Sequence, residues 1–112
     1  MPHIHVNVTC PVSPQQEQLL VREIGEAISL LPGMKSNYLM IHLDADCRLY
    51  FGGTGNCAFL EVDRFGKLPP EACGDLTARL SSIVEDILSI SKDRTYVKYV
   101  ECPYWGCHGA NF

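Results

Sequence analysis

The chain has 112 residues, of which 46% are hydrophobic and 20% charged, and a net charge of −4. That length suits one domain around a single core, burying roughly two-thirds of the surface an unfolded chain exposes, and the composition excludes a disordered polar segment. The acidic balance offers no basic stripe for nucleic acid, and neither an apolar run of ~20 residues nor a basic-then-apolar leader is present, so the expectation is a cytoplasmic chain with no membrane or nucleic-acid partner.

The first element starts almost at once, in "MPHIHVNV". Ile4, Val6, Val8 and Cys10 alternate with His3, His5, Asn7 and Thr9, which predicts a strand with one apolar face. Ser13, Pro14 and Gln16 then form a capping-box pattern with proline at the first helical position. Leu20, Ile24, Ala27, Ile28 and Leu31 follow at helical spacing until Pro32 and Gly33 stop the run. "YLMIHLD" from Tyr38 reads as a second strand and "CAFLEVDRF" from Cys57 to Phe65 as a third. Pro69 and Pro70 open a second helix, whose buried stripe is Leu76, Leu80, Ile83, Val84 and Ile87, and "TYVKYVE" from Thr95 is the last strand.

This order is one β-α-β unit written twice. Residues 1–112 form a single α/β domain with pseudo-repeats at about 2–52 and 57–102 and a tail over 103–112. Right-handed crossovers make the strands of each half parallel, and a four-stranded mixed sheet with both helices on one face is the economical packing. The other face keeps Met40, Tyr96 and Tyr99 as expected outward residues. Side chains of that kind favour an oligomer that covers them.

Pro2 carries the candidate chemistry. Methionine before a small residue is commonly trimmed, and trimming converts the Pro2 nitrogen from an amide into a secondary amine in the α-amino range near ~7.7–8.0. Burial or a nearby cation lowers that value further and leaves a neutral base at physiological pH.

"MPHIHVNV", "YLMIHLD", "FGGTGNCAFLEVDRFGK" and "GCHGANF", in this order over nearly the whole chain, resemble the macrophage migration inhibitory factor and D-dopachrome tautomerase branch of the tautomerase superfamily. The resemblance implies a homotrimer with a central barrel, helices outside and sites between subunits. It implies a keto–enol tautomerase acting on a small aromatic keto acid of the phenylpyruvate type, with Pro2 as the general base and no cofactor. It further implies that the Phe65 backbone N–H holds the substrate carboxylate, that Tyr96 of the neighbouring subunit walls the pocket, and that Tyr38 and Phe112 complete the aromatic lining. The alternative it leaves open is a signalling ligand for a cell-surface receptor, released without a signal peptide.

Two departures bear on the site. Met34 occupies the place of the family's lysine, with Lys35 one residue later, and Lys98 stands where asparagine is usual. Lys98 and Lys35 are therefore the expected substrate-binding cations; Lys98, which shares a strand face with Tyr96, is the one expected to lower the Pro2 pKa. In the tail, Cys107 and His108 replace a tryptophan and an asparagine of the family, and Leu60 stands where a thiol-redox motif would need its second cysteine after Cys57.

No metal site is expected. His3 and His5 share a strand face and His42 lies on a neighbouring strand, but with no carboxylate or cysteine at ligand spacing they read as polar lining of the trimer interior. Cys102, Cys107 and His108 read as packing beside aromatics. The six cysteines, at 10, 47, 57, 73, 102 and 107, contain no C-x-x-C pair and read as small hydrophobes in a reducing compartment.

Overall fold

The computed structural model describes residues 1–112. The first strand, β1 (Pro2–Val8), follows its alternation: Pro2, Ile4, Val6 and Val8 are buried, while His3, His5 and Asn7 are not. Helix α1 (Pro14–Ala27) opens on the expected capping box, with the Gln16 N–H donating to Ser13 Oγ at 3.1 Å and the Ser13 N–H to Gln16 Oε1 at 2.9 Å. Its last turn tightens into a 3₁₀ turn over Ile28–Leu30 before Pro32, which keeps Ile28 and Leu31 buried. The remaining elements are β2 (Met40–Asp44), β3 (Ala58–Phe65), α2 (Pro70–Leu88), β4 (Thr95–Cys102) and a terminal hairpin of β5 (Gly106–Cys107) and β6 (Ala110–Asn111).

The four long strands form one mixed sheet in the order β2-β1-β3-β4. Strands β1 and β2 are parallel, as are β3 and β4, and β1 meets β3 antiparallel. This is the duplicated β-α-β arrangement with its two halves joined through β1 and β3. Both helices lie on one face, where Ile4, Val6, Leu60 and Val62 meet Leu20, Ile24, Leu76 and Leu80 in a single core. Each such side chain contributes about 1.5–3 kcal/mol by leaving water.

Two sequence expectations fail here. Tyr38 is not in a strand: Ser36–Tyr38 form a 3₁₀ turn and β2 starts at Met40. Tyr99 does not face outward with Tyr96. The two are three residues apart, so strand alternation puts them on opposite faces, and Tyr99 turns toward α2, where its hydroxyl donates to the Cys73 carbonyl at 2.9 Å and lies 2.8 Å from Thr77 Oγ1. Met40 and Tyr96 do remain open, at 69% and 62% exposure.

Tyr99 therefore ties β4 to the helix layer. Tyr99→Phe is expected to lower unfolding stability by about 0.5–1.5 kcal/mol, the net value of a buried hydrogen bond, as read from the urea midpoint at unchanged m-value.

Candidate active site

Pro2 lies at the end of the sheet, where β1 begins and β3 stops. Its register partner on β3 is Arg64. Residues paired across a ladder share a face, so Arg64 stands on the helix side with the buried Pro2 ring. The guanidinium donates through Nη2 to the Pro32 carbonyl at 3.2 Å, while its Nε and Nη1 are buried with no hydrogen-bond partner. Two unpaired guanidinium nitrogens beside a chain terminus form an anion-binding feature, because burying such donors without an acceptor is costly.

Met1 precedes Pro2 at this corner. Its amine is held below the ordinary α-amino value, first by burial and then by the Arg64 charge, and it lies 3.7 Å from the Met34 sulfur. Its carbonyl accepts the Phe65 N–H at 3.2 Å. The backbone donor that the family resemblance assigns to a substrate carboxylate thus faces this terminus and is occupied by the Met1 carbonyl oxygen. Gly66, at φ +92°, takes the left-handed turn that ends β3 here, and its N–H is held by the Cys102 carbonyl at 3.0 Å. Phe112 returns through the terminal hairpin to place its ring 5.5 Å from that of Phe65.

One subunit does not unite all the expected residues. Pro2, Phe65 and Phe112 gather at this end. Met34 is buried there in the family's lysine position, whereas Lys35 beside it is exposed, and Tyr38 is exposed on its 3₁₀ turn. Tyr96 aligns through Phe59 with Asn7 of β1, and Lys98 through Glu61 with His5. They stand five and three positions along the strands from Pro2, roughly 16 Å and 10 Å at the usual rise. Lys98 is also engaged already: its ammonium is 2.7 Å from Glu61 Oε1 and 5.6 Å from the Phe59 ring centre. That bond holds the Glu61 carboxyl below its ordinary range.

Tyr96 borders a second feature, an apolar groove of about 430 Å³ at the far end of the sheet, lined by Leu49, Tyr50, Phe51, Cys57, Phe59 and Tyr96 among others. Its outer wall is fixed by Arg94, which donates through Nη2 to the Thr54 hydroxyl at 2.7 Å and to the Gly55 and Thr54 carbonyls at 2.8 and 3.0 Å. The same guanidinium lies 4.9 Å over the Phe51 ring, which in turn lies 4.7 Å from Tyr96.

Arg64 is the candidate site residue that sequence reasoning missed. The run Ala58, Leu60, Val62 and Arg64 carries one apolar face to a charged end, a visible signal, but only the β1–β3 register places that charge opposite Pro2. The cysteines are all free thiols, with only Cys57 fully buried, and Cys102, Cys107 and His108 do not converge as ligands.

The family model for macrophage migration inhibitory factor (MIF) matches residues 1–111. The Rattus norvegicus macrophage migration inhibitory factor is 28% identical over 102 residues, covering 90% of this chain and 88% of that protein. The Brugia malayi macrophage migration inhibitory factor homolog is 22% identical over the same coverage. Among solved structures, Leishmania major MIF2 superposes with a TM-score of 0.93 at 22% identity, covering 100% of this chain and 97% of that one. A fused 4-OT wild type asymmetric trimer superposes at 0.85 with 17% identity, covering 96% of this chain and 94% of the other.

Replacing Arg94 with methionine is expected to release the groove wall. The loss is about 1–2 kcal/mol of stability for several charge-assisted hydrogen bonds at a partly exposed site, with faster amide exchange confined to residues 51–56.

Proposed function

The chain belongs to the macrophage migration inhibitory factor family of the tautomerase superfamily, and from that membership we propose that it is a keto–enol tautomerase whose base is Pro2, freed by removal of Met1. The observation that carries this reading is the Phe65 N–H bonded to the Met1 carbonyl. Removing one residue unmasks both a basic ring nitrogen and a backbone donor pointed at the same space, and Arg64 stands across the ladder with two unused nitrogens. A keto acid set there would give its carboxylate to the Phe65 N–H and Arg64 and its reacting carbon to Pro2.

The reaction is a proton relocation. The Pro2 nitrogen takes the proton from the enol oxygen and returns it to the carbon next to the one bearing that oxygen, as the C=C bond shifts to C=O, or runs the reverse, with no net change in oxidation or in the enzyme. A desolvated amine near a fixed cation stays neutral at physiological pH, and the same cation stabilises the enolate charge that develops during transfer.

The substrate class follows from the aromatic side chains. Phe65 and Phe112 pack together beside Pro2, and Tyr38 and Lys35 are carried over as further wall and binding residues. Tyr96 and Lys98, too distant within one chain, are supplied by a neighbouring copy in a homotrimer whose contacts cover Met40 and Tyr96. A small aromatic keto or enol acid, such as a phenylpyruvate, fits this mixture of rings and cations. The reading as a ligand for a cell-surface receptor is tested by the same assay, since a purely signalling chain needs no base.

Intact mass spectrometry of the purified protein is expected to show the chain without its initiator methionine, with p-hydroxyphenylpyruvate turned over by it. Pro2→Gly is expected to reduce turnover by about 10²-fold or more, the usual reach of general-base catalysis. Undiminished turnover by Pro2→Gly contradicts the proposal, and no turnover by either protein favours the signalling reading.

The pH dependence has a defined sign. Activity requires the unprotonated amine, so kcat/KM rises with pH through the amine pKa, at a midpoint below the ordinary ~7.7–8.0. Arg64→Gln removes a cation, so it moves that midpoint upward and raises KM about tenfold or more. Lys98→Met also raises KM, by less, because Glu61 already offsets its charge. A profile unmoved by Arg64→Gln rules out this role for the guanidinium.

A further inference from the structure

The sheet face opposite the helices holds a second constellation. His5 on β1 and His42 on β2 are register partners, and their rings stack with centres 4.0 Å apart and planes 3° from parallel. Asp44, two residues beyond His42, shares their face. Its Oδ2 lies 2.6 Å from His5 Nε2 and 3.3 Å from His42 Nε2. One ligand atom from each of the three residues lies within 4.8 Å of the others. We propose that His5, His42 and Asp44 form a binding site for a divalent transition ion of the zinc class, with both Nε2 atoms and the carboxylate as ligands.

The expectation of mere polar lining rested on a missing carboxylate, and the parallel β1–β2 register supplies it. The other carboxylates on this face are already held, Asp63 by His3 at 2.8 Å and Glu61 by Lys98 at 2.7 Å. Asp44 has only the two imidazoles, and both aim the same type of nitrogen at the same oxygen. Two imidazoles and one carboxylate suit zinc, cobalt, nickel or copper better than calcium or magnesium, which favour all-oxygen shells. For the ion to enter, each neutral ring keeps its proton on Nδ1 and turns the Nε2 lone pair inward. The His42–Asp44 pair already has the ~3.3 Å spacing of a shell with bonds near 2 Å, and the His5–Asp44 pair, at 2.6 Å, would spread to it by a small rotation of partly exposed side chains. Three protein ligands leave a coordination position for water or another group. None of the three residues contributes to the Pro2 end, so the inference is independent of the proposed tautomerase.

Cobalt(II) titration of the chelator-treated full-length protein tests this. One ion per chain is expected, with a visible ligand-field band and no thiolate charge-transfer absorption, which separates this site from the six cysteines. Asp44→Asn and His42→Gln are each expected to weaken binding about tenfold or more, while His3→Gln on the same face leaves it unchanged. Absence of binding, a thiolate spectrum, or equal affinity in folded Asp44→Asn and His42→Gln proteins overturns the proposal. The wild-type stoichiometry and spectrum decide it even if a variant does not fold.

Discussion

The register of β1 between its two neighbours is the constraint on which the rest depends. Paired antiparallel with β3, it sets Pro2 opposite Arg64; paired parallel with β2, it sets His5 opposite His42. Side chains alternate with period two, so a slip of one residue would send Ile4, Val6 and Val8 into solvent and the histidines into the core. The core therefore fixes the register, and the register fixes both sets of polar groups. Hydrophobic burial, which carries no directional information of its own, becomes the agent that positions Pro2 opposite a cation.

The two faces of β1 carry different polar groups for the same reason. On the helix side the strand ends in a desolvated corner, where Arg64 keeps two nitrogens unpaired and Met34 replaces a family lysine with a thioether against the terminal amine. In the proposed site the cation on this side comes from β3 instead. On the open side the strand carries histidines facing carboxylates across the ladder, with Lys98 and Glu61 closing the row at its β4 end. The chain thus retains the family's fold at low sequence identity.

Much of the architecture was legible because local rules agreed with one another. The alternation of β1, the capping box at Ser13 and Gln16, the prolines at the start of each helix and the repeated order all pointed to a duplicated β-α-β unit. The failures have specific causes. Tyr99 was grouped with Tyr96 by ring chemistry, although their odd spacing separates them in a strand. Tyr38 was joined to the strand after it because an apolar run does not reveal where a 3₁₀ turn hands over to extended backbone. Arg64 and Asp44 are the deeper misses, since each becomes significant only through a partner on another strand, and no local pattern states which strands are neighbours or in what register. The separation of Pro2 from Tyr96, which the resemblance anticipated by assigning Tyr96 to the neighbouring subunit, is the physical reason a single subunit leaves the proposed site incomplete.

The proposed tautomerase requires a free, weakly basic ring nitrogen beside the Arg64 guanidinium. An NMR titration of protein carrying ¹⁵N-labelled proline measures this without any substrate. The Pro2 nitrogen is expected to titrate below the ordinary α-amino range of about 7.7–8.0 and to shift upward when Arg64 is replaced by glutamine. A Pro2 nitrogen that titrates within or above that range, indifferent to residue 64, would contradict it.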